Sequence, residues 1–291
     1  MSFSSDIKEE LSKMNNLAKK DEVKYELIGY LISKNASVMN VNNIRFATES
    51  DYNINRFSKL LKNLEINHNI EFDGKSFIIT IKIKNLDILK DDLKITYNKI
   101  EIINIEKNRS IIRGAFLGAG SINNPENNYH LEINLSNNKN LEYMYELLIN
   151  LGINCKELEK QNKYSIYLKD GEEISKLLAL LGANKSVLKF EDIRVQKEMR
   201  GKVNRIVNCK TANLNKTINA SVEQIEAIRK LKKKNKFNLL DENLKEIANL
   251  RLENPDMPLV ELGKLLEKPV GKSGVNYRLK KNNRNIKRIV N

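Results

Sequence analysis

Apolar positions in the first 190 residues recur in one order, twice. Ile54, Phe57, Leu60, Leu61 and Leu64 stand at i, i+3 and i+4 spacings, which predicts an amphipathic helix over 53–64. A helical stretch, 24–35, and two short strand-like runs, 37–41 and 44–49, precede it. Two more runs follow, 66–72 and 76–83 around the turn Asp73-Gly74, and then a short helical stretch near 86–93. The second copy begins with a helix at 111–118, leading into Gly120-Ser121-Ile122, a loop with Pro125 and a strand at 129–135. The helix 139–151 carries Leu141, Met144, Tyr145, Leu148 and Ile149 on one side. Strands at 153–159 and 164–168 and a helix at 171–181 complete it. Asn63-Leu64-Glu65-Ile66-Asn67 matches Asn150-Leu151-Gly152-Ile153-Asn154 at the same point of each copy. An αββαββα unit written twice predicts an α+β domain of two sheets, helices on one face, related by a pseudo-twofold.

The strand signal stops after Glu191. Residues 195–220 are polar, with Arg200, Asn204, Arg205, Asn208, Asn213 and Asn215 and little apolar periodicity, and are expected to form a linker. Helical patterns then run to the end. The first, 221–234, opens at a capping box of Ser221 and Gln224. The next three are 241–252, stopping before Pro255, then 258–266 and 272–283. The expected division is a first repeat at 1–105, a second at 106–194, a linker at 195–220 and an all-α domain at 221–291.

Charge changes this picture. Lys and Arg number 51 against 37 Asp and Glu, a net of +14 over 291 residues. Richness in Asn, Ile and Lys, as from an AT-rich genome, would raise the charge everywhere. Instead residues 195–291 hold 23 basic and 10 acidic side chains, net +13, and residues 1–194 hold 28 and 27, net +1. A basic module of this kind is the electrostatic footprint of a nucleic-acid partner. Two Cys and two His supply neither a disulfide framework nor a zinc site, and the absence of Trp argues against aromatic ligand cages. No apolar run approaches a membrane span and the first residues, MSFSSDIKEELSK, lack a signal-peptide core. A cytoplasmic, nucleoid-associated protein is expected.

The last two helical patterns read as a helix-turn-helix. Leu259, Leu262, Leu265 and Leu266 give the first a packing face and Gly263 allows close approach; the second has Val275 and Leu279 one turn apart. Its other faces carry Lys272, Ser273, Asn276, Tyr277, Arg278, Lys280, Lys281 and Arg284. In such modules the second helix enters the major groove, with base-edge readers toward its start and basic residues at phosphates. Asn276 and Arg278 have the geometry for adenine and guanine edges. Arg200 and Arg205 in the preceding segment are further candidates for DNA contact. The glycine-rich stretch 113–120 lacks the Gly-Lys-Ser/Thr of a phosphate loop and suits close packing of two helices instead. Gly271-Lys272-Ser273 fails likewise, because Leu266 stands where that loop needs glycine. No cofactor, metal or small-molecule substrate is implied.

The stretch Ile112-Arg113-Gly114-Ala115-Phe116-Leu117-Gly118-Ala119-Gly120 resembles a degenerate LAGLIDADG motif of the homing endonucleases. More specifically, the chain resembles the WhiA family of bacterial regulators. Matching stretches are Tyr129-His130-Leu131-Glu132, Lys197-Glu198-Met199-Arg200, Lys272-Ser273-Gly274-Val275-Asn276 and, most specific, the run from Val203 to Thr217. The resemblance implies a LAGLIDADG-like part fused to a helix-turn-helix. It also implies a role in transcription tied to cell division, chromosome segregation and, in relatives that sporulate, sporulation. Nucleases of this fold hold divalent metal on an acidic residue near the end of each motif helix. The motif puts Ala119 and Lys34 there, and neither can ligate metal, so no catalytic residue is expected. The leading expectation is therefore a non-catalytic, sequence-specific DNA-binding protein, with double-stranded DNA as partner. A second regulatory protein or sigma factor is a further candidate partner. The alternatives are a residual endonuclease with displaced acidic ligands and a cell-division adaptor whose DNA binding is incidental.

Overall fold

The computed structural model describes residues 2–40, 42–89 and 105–290, apart from the side chains of 39–40, 87–88 and 282–290. The chain divides into two compact units, 1–198 and 199–291. The first opens with a helix that the polar look of residues 1–13 conceals: α1, Phe3–Ser12, capped by the Ser2 hydroxyl. Phe3, Ile7 and Leu11, one turn apart, bury its inner face.

The first repeat then runs α2 (Lys20–Ile32), β1 (Ala36–Asn40), β2 (Asn43–Thr48), α3 (Asp51–Asn63), β3 (His68–Phe72), β4 (Phe77–Lys82) and a 3-10 turn, Ile83–Leu89. The rest of the helical stretch expected near 86–93 lies outside the described residues. The second repeat is α4 (Ile105–Ala119), β5 (Gly120–Ile122), β6 (Leu131–Leu135), α5 (Asn138–Asn150), β7 (Lys156–Lys160), β8 (Lys163–Leu168) and α6 (Gly171–Leu181). Both sheets are antiparallel and share one strand order, β1-β2-β4-β3 and β5-β6-β8-β7. The duplicated α+β fold read from the sequence is the one observed. Within β6, burial alternates residue by residue: Leu131, Ile133 and Leu135 face the helices and Glu132 and Asn134 face away.

The repeats meet along α2 and α4. A Cβ on Gly29 would overlap the Ile111 carbonyl oxygen, and one on Gly114 would overlap the Glu26 carbonyl oxygen. Backbone therefore touches backbone, the close packing that small residues in 113–120 suggested. Two asparagines lace the seam reciprocally. Asn53 of α3 donates to the Leu117 carbonyl at 2.7 Å, and Asn140 of α5 to the Ile32 carbonyl at 3.5 Å. The symmetry breaks at one buried charge cluster. Glu26 accepts from Arg56 Nε and Nη2 at 2.7 and 2.9 Å and lies 3.4 Å from Arg113 Nη1. Burial pulls on the Arg56 guanidinium, but Glu26 hydrogen bonds and charge hold its pKa above the ordinary value.

Residues 195–220 depart from expectation. They are helical, within α7, Asn184–Lys233. Lys210 interrupts its apolar positions and none of them is buried, and the helix follows from local propensity, with one glycine and no proline between 195 and 220. Nor does a helix open at Ser221. Its hydroxyl donates to the Pro255 carbonyl rather than capping, and the Gln224 side-chain oxygen has no partner. Glu10 of α1 supplies the actual cap of α7, accepting the backbone N–H groups of Lys185 and Ser186 at 2.8 and 3.0 Å. Beyond α7 come a 3-10 turn, Phe237–Leu239, then α8 (Glu242–Glu253), α9 (Leu259–Lys264) and α10 (Lys272–Val290).

Candidate nucleic-acid interface

The second unit packs three short helices and the end of α7 around Ile228, Ile247, Ala248, Leu262, Leu266, Val275 and Leu279. Among its described side chains, α10 contributes Val275 and Leu279, both buried as their spacing required. From α9 comes Leu262, with Leu259 partly buried, and Leu266 joins from the turn just after it; Leu265, expected on that face, is instead exposed. Gly263 has no room for a side chain, since a Cβ there would overlap the Val270 carbonyl oxygen and meet Val275 Cγ2 at 3.0 Å. Val270 N–H returns a hydrogen bond to the Gly263 carbonyl at 3.1 Å, folding the seven-residue turn back onto α9. Glu246 of α8 holds the same turn through the Glu267 N–H, at 2.6 Å.

A buried cation fixes the loop between α8 and α9. Arg251 Nη1 donates to the carbonyls of Asn254, Pro255 and Met257 at 3.3, 3.2 and 2.7 Å. Burial lowers its pKa. Sequence reasoning passed over it, because an arginine in a basic module reads as one more surface charge.

The candidate residues are distributed around α10 by helix geometry. Tyr277 points directly away from the buried stripe and is 65 % exposed. Ser273, Lys280 and Lys281 are exposed beside it, and Lys272 is exposed at the helix start. Asn276 and Arg278 are half-buried and, two positions apart, project roughly 160° from each other, one on each side of the stripe. The helix therefore does not bring these two expected base readers onto one edge. Lys281 Nζ lies 3.6 Å from Asp241, both ends partly exposed. The side chain of Arg284 lies outside the described residues. Arg200 and Arg205 are exposed on α7, where Arg205 Nε donates to the Gly201 carbonyl at 3.2 Å.

In the first unit the outward face of the second sheet carries Glu132, Tyr167 and Lys156 in one row across β6, β8 and β7. The His130 and Tyr167 rings stack at 6.0 Å, and Lys169 Nζ sits 5.3 Å above the Tyr167 ring. No periodic signal marks this cluster, because its members come from separate stretches of the chain. At the ends of the seam helices stand Lys34 and Ala119. Lys34 N–H bonds the Asn134 carbonyl at 3.1 Å, and the Asn35 amide occupies the Gly118 carbonyl at 2.8 Å. Among the described residues, no three His, Cys, Asp or Glu side chains gather as metal ligands would. No helix among them is long and apolar enough to cross a membrane.

A glycine-packed pair of repeats sharing the order αββαββ, followed by a helix-turn-helix, defines a compound class, a LAGLIDADG-like unit joined to a helical DNA-binding type of module. Comparison with known proteins narrows the class. Residues 108–200 match the WhiA LAGLIDADG-like domain and residues 203–286 the WhiA C-terminal HTH domain. The probable cell division protein WhiA of Clostridium tetani is 38 % identical over 97 % of this chain and 96 % of its own length. That of Clostridium acetobutylicum is 46 % identical over 68 % of this chain and 64 % of its own. The crystal structure of full-length WhiA from Thermatoga maritima aligns over 99 % of both chains, with 29 % identity and a TM-score of 0.62. The chain belongs to the WhiA family.

Proposed function

We propose that this chain is a non-catalytic, sequence-specific DNA-binding protein that regulates transcription in connection with cell division and chromosome segregation, in the cytoplasm at the nucleoid. The observation that carries the reading is α10. Among its described side chains, 272–281, the buried stripe is Val275 and Leu279, leaving Lys272, Ser273, Tyr277, Lys280 and Lys281 exposed in the part of the chain that holds nearly all the net charge. Such a helix seats in a major groove with cations at phosphates on both sides. Because Asn276 and Arg278 flank the stripe on opposite sides, they divide the work: Asn276 reads a base edge and Arg278 faces a strand or the neighbouring helix. Membership in a family whose members are called probable cell division proteins supports the cellular role. Ala119 and Lys34, at the ends of the seam helices, offer no carboxylate, which supports binding without cleavage. In this reading the LAGLIDADG-like repeats at 1–105 and 106–194 add weaker DNA contacts or engage a second regulatory protein or a sigma factor. The sequence-specific domain is 221–291.

The full chain tests this by fluorescence anisotropy on duplexes selected by genomic crosslinking and on random duplexes, across a salt series. Lys280→Ala should weaken both duplexes alike and reduce the salt slope by about one. Asn276→Ala should cost about 1–3 kcal/mol on the selected duplex and far less on the random one. Variants that behave identically on both duplexes would refute sequence reading by α10. Nicking of supercoiled plasmid in Mg²⁺ that vanishes with mutation of this chain's acidic residues would refute the non-catalytic reading.

A further inference from the structure

Among the described residues, nothing covers an apolar face on the part of α7 that follows residue 198. Met199, Val203, Ile206, Leu214 and Ile218 lie within roughly 120° of its circumference, and each is exposed, Met199 and Leu214 by 62 and 59 %. The face leads into a groove of about 220 Å³ between α7 and the Pro255-Asp256 loop, lined by Leu214, Ile218, Val222 and Ile225. Exposed apolar surface continuous over this length marks a contact site rather than scattered surface residues.

Charge selects the occupant. Between Met199 and Val222 there are five basic residues, Arg200, Lys202, Arg205, Lys210 and Lys216, and no acidic one. Arg200 and Lys202 border the apolar face on its two sides and Lys210 lies within it. A second copy would bring ten positive charges together, so self-association is opposed. Duplex DNA matches the charge but gains nothing from desolvating valine, isoleucine and leucine. We propose that this face of α7 docks an acidic amphipathic helix of a partner protein, its apolar side on the stripe, one large side chain in the groove, and its carboxylates over Arg200, Lys202 and Lys210. The inference does not depend on the DNA-binding reading of α10.

The probe is a designed helical peptide of about eighteen residues with leucines at i, i+3, i+4 and i+7 and glutamates on the flanks. It is compared with a scrambled peptide of equal composition and a Leu/Lys peptide of the same pattern, each titrated with the full chain. The Glu/Leu helix should bind tightest, more weakly as salt rises. Val203→Ser with Ile206→Ser should weaken it about tenfold or more. Lys202→Ala with Lys210→Ala should weaken it several-fold and flatten the salt dependence. All of the substituted side chains are exposed, so circular dichroism should stay unchanged. Equal binding of patterned and scrambled peptides, or no effect of the stripe variants, overturns the proposal. So does a dimer in sedimentation that Leu214→Ser dissolves, which would make the occupant a second copy. A loss of duplex affinity in the stripe variants equal to their loss of peptide affinity would assign the face to DNA instead.

Discussion

Residues 1–198 are bound by one continuous core running from Phe3 on α1 to Phe190 on α7, with two sheets and a backbone-to-backbone helix pair at its centre. Residues 199–291 rely, among the described residues, on a seven-residue core and a three-residue satellite of Leu231, Leu240 and Leu244. The larger unit has almost no net charge to spend on a polyanion; the smaller carries the charge of the molecule. A small core leaves more of each helix in water, and an exposed helix can present basic and polar side chains on several faces. The same economy makes the smaller unit depend on each buried residue, and on a clamp such as Arg251, far more than the larger does.

The contrast can be broken from either side. Gly114→Ala has the largest expected effect, since its Cβ collides with the Glu26 carbonyl and neither helix backbone can yield without parting the repeats. A loss of about 4 kcal/mol or more is expected in denaturant unfolding of the sheet-containing unit; a loss below 1 kcal/mol would mean that the seam is loose. Val275→Asp puts a carboxylate into the seven-residue core. It should melt the helical unit, costing about 3–4 kcal/mol and abolishing duplex binding, while the near-ultraviolet signal of the aromatic-rich first unit is kept. Glu26→Gln leaves Arg56 and Arg113 buried without counter-charge, and about 3 kcal/mol should be lost from the first unit alone.

The smallest effect concerns pH. Lys8 of α1 lies 6.0 Å from the Phe116 ring, and burial lowers its ammonium pKa from 10.5 to about 8. Below pH 8 both folded and unfolded chains carry the proton, and the folded state bears the whole desolvation penalty. Between pH 8 and 10.5 the unfolded chain binds more protons, so this group makes stability rise with pH. Lys8→Met should therefore stabilise the first unit by about 1–3 kcal/mol at pH 7, and the gain should fade toward pH 10.5. A gain independent of pH would point to packing alone.

Legibility followed burial. The helix Gly171–Leu181 and both sheet patterns were readable because each has a buried face, so apolar spacing records the structure. In the first unit the three core residues of α1 are hidden among charges, and residues 195–220 read as linker because their apolar positions are interrupted at Lys210 and flanked by polar side chains. On α10 the buried stripe was legible to the residue, and the exposed candidates followed as its complement. What the sequence could not convey is three-dimensional grouping: the Glu26-Arg56-Arg113 cluster joins positions 87 residues apart, and the stack on Tyr167 of β8 comes from His130, just before β6.

That buried cluster has a bearing on descent. Under the pseudo-twofold that pairs Gly29 with Gly114 and Asn53 with Asn140, the counterparts of Glu26, Arg56 and Arg113 are Ile111, Tyr143 and Ile28. A repeat paired with its own twin is the arrangement a duplicated gene would start from. The second repeat can no longer return to it: each twin would bury Arg113 opposite an isoleucine, at a cost of about 3–5 kcal/mol. Glu26 thus ties the first repeat to the second through Arg113, a contact that the second repeat could not make with a copy of itself.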